Sequence, residues 1–380
     1  MSDATRVRIG FIPLVDAAAL LVAVEKGFAA AEGLDVELVR EVSWANIRDK
    51  LAVGLFDAAH LLSPMAVASS LGLGHVRVPL VAPLVMATNG NAITVSPALH
   101  AELAAAGEIA DPACSARALA AVVAQRKRRS DEPLTFGMTF PFSMHNYQLR
   151  YWLAEGGLDP DEDVRLVVLP PPYMVENLAR GQLDGFCVGA PWSAVAVEAG
   201  VGAILHFGCD IFQRAPEKVL ALRENAVEEA ADVAAALIRA VVKGAAYIDG
   251  ADGLDETARL LARPEFVGVD AAMIRRVLEG RLRVGAARER SAENYLVIGD
   301  AMRPEPWQAE WIYAQMLRWG QTRHSASVER QATSVWRPDL FDAAVGGAPT
   351  AGDIGAFAGA PLQGGDIADY LAGFAIGRRI

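Results

Sequence analysis

Three cysteines, Cys114, Cys187 and Cys209, and the histidines His75, His100, His206 and His324 are the side chains of this 380-residue chain most suited to covalent or metal chemistry. The cysteines are odd in number and none stands at a metal-ligand spacing. Buried free thiols in a reducing compartment are therefore expected. These four histidines form no spaced set, and solvated or packed rings are the expectation for each. No Gly-x-Ser-x-Gly, P-loop or His-Glu-x-x-His run is present. Gly72-Leu73-Gly74 lacks the third glycine and the helix start of a dinucleotide fingerprint. No catalytic set, cofactor or metal is expected, which points to a binding protein rather than an enzyme. The basic run Arg126-Lys127-Arg128-Arg129 is expected as a solvated loop; its sharper reading is a contact for an acidic partner.

Composition bounds the scaffold that must hold any site. At 53% hydrophobic residues, 380 residues exceed one ordinary core, so two lobes are expected. Charged residues make up 21%, too few for wholesale disorder, and the net charge of −11 disfavours a nucleic-acid-binding face. Arginine dominates the cations; the lysines are Lys26, Lys50, Lys127, Lys218 and Lys243. The start runs directly into an apolar strand, without the pattern of a secretory signal, so no export signal is expected. No run of about 18 apolar residues predicts a membrane span.

Along the chain, a strand over residues 7–12 is followed by Asp16 where a helix N-cap belongs, and a helix is predicted over 17–28. Residues 34–39 alternate as a half-buried strand, Ser43 is placed to cap a helix over 44–53, and 57–62 reads as a third strand. Repeated βα units predict parallel sheets flanked by helices. After a break around 78–94 come a helical stretch over 101–124 interrupted at Asp111-Pro112, a strand at 135–139 and a helix at 145–155. Strands at 164–169 and 185–188 flank a helix at 174–180, so the βα pattern restarts as a second lobe would. From Asn225 onward helical periodicity dominates, at 230–249, 254–261, 271–278 and 307–319. The tail from Val345 is rich in Gly, Ala and Pro, either wrapping or partly disordered.

Several segments, taken in order, carry a resemblance. They are Gly10-Phe11-Ile12-Pro13 with Asp16, Glu25-Lys26-Gly27-Phe28, Ser43-Trp44 with Arg48-Asp49, and Ala59-His60-Leu61-Leu62-Ser63-Pro64-Met65. Then come Thr139-Phe140-Pro141 with His145, Arg150-Tyr151-Trp152-Leu153-Ala154, Pro170-Pro171-Pro172-Tyr173-Met174-Val175 and Cys187-Val188-Gly189-Ala190-Pro191-Trp192. As a set they resemble the nitrate- and bicarbonate-binding solute receptors and their cytoplasmic nitrate-sensing relatives of the NasS type. The resemblance implies an α/β, two-lobed clamshell of the type-II periplasmic-binding-protein class. Lobe I would comprise residues 1–90 and 209–344, lobe II residues 91–208, and the tail residues 345–380. Ligand would sit in the cleft, where open α/β sheets generally bind.

The positions matching the family's ligand contacts are Trp44, Asn91, His145 and Lys218, with Asp16 in a secondary place. An indole N–H, an amide NH₂, an imidazole N–H and an ammonium can all donate. They suit a planar acceptor-only anion such as nitrate or nitrite. Asn91 stands where the family more often has the longer glutamine. Glu217, one residue earlier than Lys218, is the alternative occupant of that position. In bicarbonate-binding relatives the position is acidic and belongs with calcium; an ammonium leaves no ligand cluster for calcium, so no metal is expected. For Asp16 the structural N-cap is the competing reading.

The resemblance implies a cytoplasmic nitrate/nitrite sensor that holds an RNA-binding antiterminator of the response-regulator type until ligand arrives, with no direct contact to nucleic acid or membrane. The alternative is the substrate-binding component of an ABC importer for nitrate or a related anion. Two further readings are an enzyme resembling those of thiamine-pyrimidine synthesis, whose histidine- and cysteine-rich site is not found, and a sulfonate receptor with a roomier cleft.

Overall fold

A computed structural model describes residues 4–347, 353–362 and 366–377. In chain order the strands are β1 (Thr5–Phe11), β2 (Leu34–Arg40), β3 (Ala58–Leu62) and β4 (Leu80–Asn89), then β5 (Asn91–Val95), β6 (Thr135–Met138), β7 (Arg165–Val168), β8 (Gly185–Gly189) and β9 (Ala203–Phe207). Last come β10 (Pro216–Arg223), β11 (Arg281–Gly285), β12 (Arg288–Ser291) and β13 (Leu296–Val297). One six-stranded sheet has the order β13-β4-β10-β3-β1-β2, and a five-stranded sheet has the order β7-β6-β8-β5-β9. In the first, β10 and β13 run against the other strands; in the second, β5 does. Helices flank both sheets. The architecture is the two-lobed α/β clamshell of the periplasmic-binding-protein class, with mostly parallel sheets.

The chain passes from the first sheet to the second at Gly90, between β4 and β5, and returns after β9 through the short helix Gly208–Ile211. Gly90 adopts φ +98, and a Cβ there would stand 2.9 Å from Leu296 Cδ1. Both facts require glycine at the crossing. Asn89 ties the two crossings together. Its Nδ2 donates to the carbonyls of Gln213 (2.7 Å) and Asn294 (2.8 Å), and its Oδ1 accepts from Ala215 N at 2.9 Å.

Lobe I is anchored by close helix packing. Helix Ala18–Glu25 lies on helix Ala231–Ile248, and a Cβ on Gly244 would meet Ala19 O at 2.3 Å. Glycine there lets two backbones approach and bury the apolar faces of both helices.

Several sequence-based expectations are corrected. The helix expected over 17–28 is a 3₁₀ turn at Val15–Ala17 followed by helices Ala18–Glu25 and Phe28–Ala31, with Gly27 at φ +77 breaking it. Ser43 occupies the N-cap of helix Trp44–Ala52, but its side chain makes no capping bond. Arg126, Lys127, Arg128 and Arg129 form the last turn of helix Pro112–Arg129, not a loop. Cations there favour the negative end of the helix dipole. The helical reading beyond Asn225 missed the hairpin β11–β12 and the short strand β13.

In the tail, Gln213 N and Arg214 N donate to Gly355 O and Ile354 O, and helix Ile367–Ala372 follows. The described tail residues thus pack beside the return crossing. Among the described residues no helix is long and apolar enough to cross a membrane.

Candidate functional site

Asp16, Trp44, His60, Asn91, His145, Gln148, Glu217 and Lys218 converge from six elements, all of them at most 1% exposed. Lys218 stands at the centre. Its Nζ lies 2.8 Å from Asp16 Oδ2, 2.9 Å from Glu217 Oε1 and 5.5 Å from the centroid of the Trp44 ring. Adjacent residues on a regular strand face opposite sides. Here the β10 ladder is irregular on both sides of Lys218, against its partners on β4. The irregular register lets Glu217 and Lys218 share one cluster. Ser63 Oγ, at the head of helix Ser63–Leu71, donates to Pro216 O and holds the start of this stretch.

Asp16 enters from the 3₁₀ turn after β1. It is not a helix N-cap: Leu14 precedes the turn, and the Asp16 carboxylate faces Lys218 and, at 3.0 Å, His60 Nε2. A buried carboxylate gains more from a buried cation than from a cap. Burial raises the Asp16 pKa, but Lys218 and His60 outweigh it and hold the group at about 2. His60 comes from the middle of β3 and packs against Trp44, ring centroids 5.5 Å apart. Burial keeps His60 below its ordinary pKa against the pull of Asp16.

His145 lies in the first turn of helix Met144–Glu155, whose N-cap Ser143 accepts from Asn146 N at 3.1 Å. Its Nδ1 is 3.0 Å from Thr139 Oγ1, and its Nε2 is 3.6 Å from Glu217 Oε1. Burial first, and then Lys218, hold this ring well below the ordinary histidine pKa, so it is neutral at pH 7. The Glu217 carboxylate facing Nε2 favours the tautomer with the hydrogen on Nε2, in which Nδ1 accepts from Thr139 Oγ1. That Nε2 and Trp44 Nε1 are both buried without a hydrogen-bond partner among the described residues. An unpaired buried donor costs about 1–3 kcal/mol, so two beside one ammonium mark a place for acceptors.

Asn91, the first residue of β5, is placed differently from expectation. Its Nδ2 donates to Glu217 Oε2 at 2.6 Å and to Gln148 Oε1 at 2.9 Å. Both donors are engaged by two buried acceptors within reach, so Asn91 offers an incoming anion no free N–H. Gln148, one helical turn after His145, also donates to Gly208 O at 3.3 Å.

Glu217 is the main surprise, because an all-donor site was expected. Its carboxyl is buried beside Lys218, not instead of it. Burial raises its pKa against the opposing pull of Lys218 and Asn91. For Lys218 burial lowers the pKa, but Asp16 and Glu217 together raise it, so the ammonium is kept. Sequence reasoning named Glu217 only as an alternative to Lys218 and missed His60 and Gln148 as site residues. The polar residue inside the otherwise apolar strand Ala58–Leu62 was the available signal for His60. Among the described residues no group of three or more His, Cys, Asp or Glu could hold a metal ion.

Comparison with known proteins agrees with this architecture. Residues 2–262 match the NMT1-like family. The chain is 36% identical, over 98% of its length, to the nitrate import ATP-binding protein NrtC of Synechocystis sp., and spans 55% of that relative. It is 31% identical to the nitrate/nitrite binding protein NrtA of Nostoc sp., covering 89% of this chain and 76% of the relative. The crystal structure of the periplasmic nitrate-binding protein NrtA from Synechocystis PCC 6803 superposes with a TM-score of 0.89 at 27% identity, covering 98% and 99% of the two chains.

Proposed function

We propose that this chain, which belongs to the NMT1-like family and within it to the nitrate- and bicarbonate-binding solute receptors, binds nitrate or nitrite as the receptor component of an ABC importer. The observation that carries this reading is the pair of unpartnered buried donors, Trp44 Nε1 and His145 Nε2, grouped with the Lys218 ammonium. A small planar oxyanion offers acceptors to all three. Charge-assisted bonds to it are the strong kind, about 1.5–3 kcal/mol each. Because every site residue is buried, the ligand enters only when the lobes part and is enclosed when they meet.

The related chains are import and binding proteins by name. They favour the import receptor over the antiterminator-linked sensor expected from the sequence, and the solved relative is periplasmic, which gives no support to a cytoplasmic location. Neither relative is an enzyme of small-molecule conversion by name, in keeping with a binding role. Titration calorimetry with nitrate, nitrite, bicarbonate and taurine tests the reading. Heat is expected with the first two; binding of bicarbonate or taurine alone would contradict it.

A further inference from the structure

We propose, on the oxyanion reading above, that the cluster takes up one proton with each nitrate it binds, and that Glu217 holds that proton as a specificity-determining residue. The argument begins with a count of charge. Asp16 and Lys218 are paired at 2.8 Å and cancel. Glu217, fully buried, is a second carboxylate on the same ammonium. An arriving monoanion would leave two negative charges without a partner in a space shut off from water. An uncompensated buried charge costs several kcal/mol, enough to abolish binding unless a proton enters with the anion.

Each group in or beside the cluster can be considered as the proton's holder. Lys218, beside it on β10, already carries its charge. Asn91 from β5 and Gln148 from helix Met144–Glu155 do not titrate. Cys187 from β8, whose Sγ donates to Gln148 Oε1 at 3.5 Å, is held as a neutral thiol by burial and by Glu217. Asp16 from the 3₁₀ turn is held ionised by Lys218 and His60. The Tyr295 hydroxyl stays neutral through burial. His145 and His60 are kept neutral by burial, and a protonated His145 would add charge beside Lys218. Glu217 remains, a carboxyl whose proton affinity burial increases.

The geometry also accommodates protonation there. Oε2 continues to accept from Asn91 Nδ2. Oε1 turns from acceptor to donor and joins Trp44 Nε1 and His145 Nε2 as a group that can face an anion oxygen. Lys218 keeps Asp16, and the N–H released from Oε1 becomes available to the anion. The all-donor site that nitrate requires is thus completed by a proton rather than by Asn91. No bond other than O–H is made, and the proton comes from solvent.

Calorimetry with nitrate in buffers of differing ionisation enthalpy, between pH 6 and 9, reads the proton count directly. In the native protein we expect about one proton taken up per nitrate in the upper part of this range, with Kd weakening about tenfold per pH unit there. In Glu217→Gln, which keeps the shape and always carries an N–H₂ donor, nitrate should bind with no proton uptake and a pH-independent Kd. Native binding without uptake at any pH in the range would overturn the inference and leave the oxyanion reading standing. Uptake retained in Glu217→Gln would overturn the assignment to Glu217. Absence of nitrate binding throughout would remove the oxyanion reading itself.

Discussion

Glu217 and Lys218 are neighbours on β10, yet both side chains lie in one buried cluster, Lys218 Nζ 2.9 Å from Glu217 Oε1. A regular strand would have placed one of them on the opposite face of the sheet. The irregular register around Lys218 therefore sets the charge of the site: one ammonium between two carboxylates, with the two donors that make no hydrogen bond among the described residues close by.

Replacing Lys218 by Met removes the cation shared by Asp16 and Glu217. Leaving buried carboxylates without a partner costs about 3–5 kcal/mol. A lower denaturation midpoint and more than a roughly tenfold loss of nitrate affinity are expected. Adding Asp16→Asn should recover stability but not binding. Unchanged affinity in Lys218→Met would place the anion elsewhere.

Trp44→Phe deletes an N–H that has no protein partner and keeps an aromatic ring beside His60. Stability should fall by about 1–3 kcal/mol, the cost of the space left by the smaller ring rather than of any protein hydrogen bond. Nitrate affinity should fall about tenfold. A large loss of stability with unchanged affinity would make the indole a packing element only.

Acid sensitivity follows from two buried groups. His206 is held neutral at a pKa of about 4, chiefly by burial, with Nε2 2.6 Å from Ser115 Oγ. Its folded pKa lies below the unfolded 6.5, so the unfolded chain binds more protons between these values and stability falls as pH drops from 6.5 to 4, by about 3 kcal/mol. Asp16, depressed from 3.8 to about 2, contributes stability above pH 3.8 that is lost as pH falls toward 2, about 2 kcal/mol. Urea midpoints measured against pH should show both slopes, and His206→Gln should reduce the first while leaving the second.

Arg318 fastens the C-terminal segment. Its guanidinium carbon lies 3.7 Å from the ring centroid of Phe374, 4.5 Å from that of Tyr151 and 4.4 Å from that of Trp319, and its Nε donates to Ile376 O at 3.2 Å. Cation–π contacts of this kind contribute about 0.5–2 kcal/mol each. Arg318→Ala should lower the melting temperature and expose residues 366–377 to limited proteolysis, with Arg318→Lys intermediate.

Much of the scaffold was legible because local signals agreed with tertiary demands. Residues 271–278 read as a helix and form one, with Asp270 as N-cap accepting from Met273 N at 3.1 Å. The early βα units were legible from alternation and glycine stops. The hairpin at Arg281–Gly285 and Arg288–Ser291 was not, although its first strand alternates exposed and buried, because it sits among helices whose periodicity dominated the reading. The basic run 126–129 was misread because charge suggests solvent and says nothing of helix position. Within the site, Trp44, His145, Lys218 and Asp16 were found through family resemblance, and the structure brings them together. The roles of Asn91 and Glu217 were hidden, because which donor meets which acceptor depends on convergence of β5, β10 and helix Met144–Glu155, and no spacing in the chain encodes that.

The central claim is that the buried cluster holds a small oxyanion, and a crystal structure grown with nitrate tests it most directly. Planar density within hydrogen-bond distance of Trp44 Nε1, His145 Nε2 and Lys218 Nζ is the predicted result. Nitrate found only elsewhere, for example in the groove of about 520 Å³ lined by Glu108, Leu205, Arg288 and Arg290, with these donors still unpartnered, would contradict it.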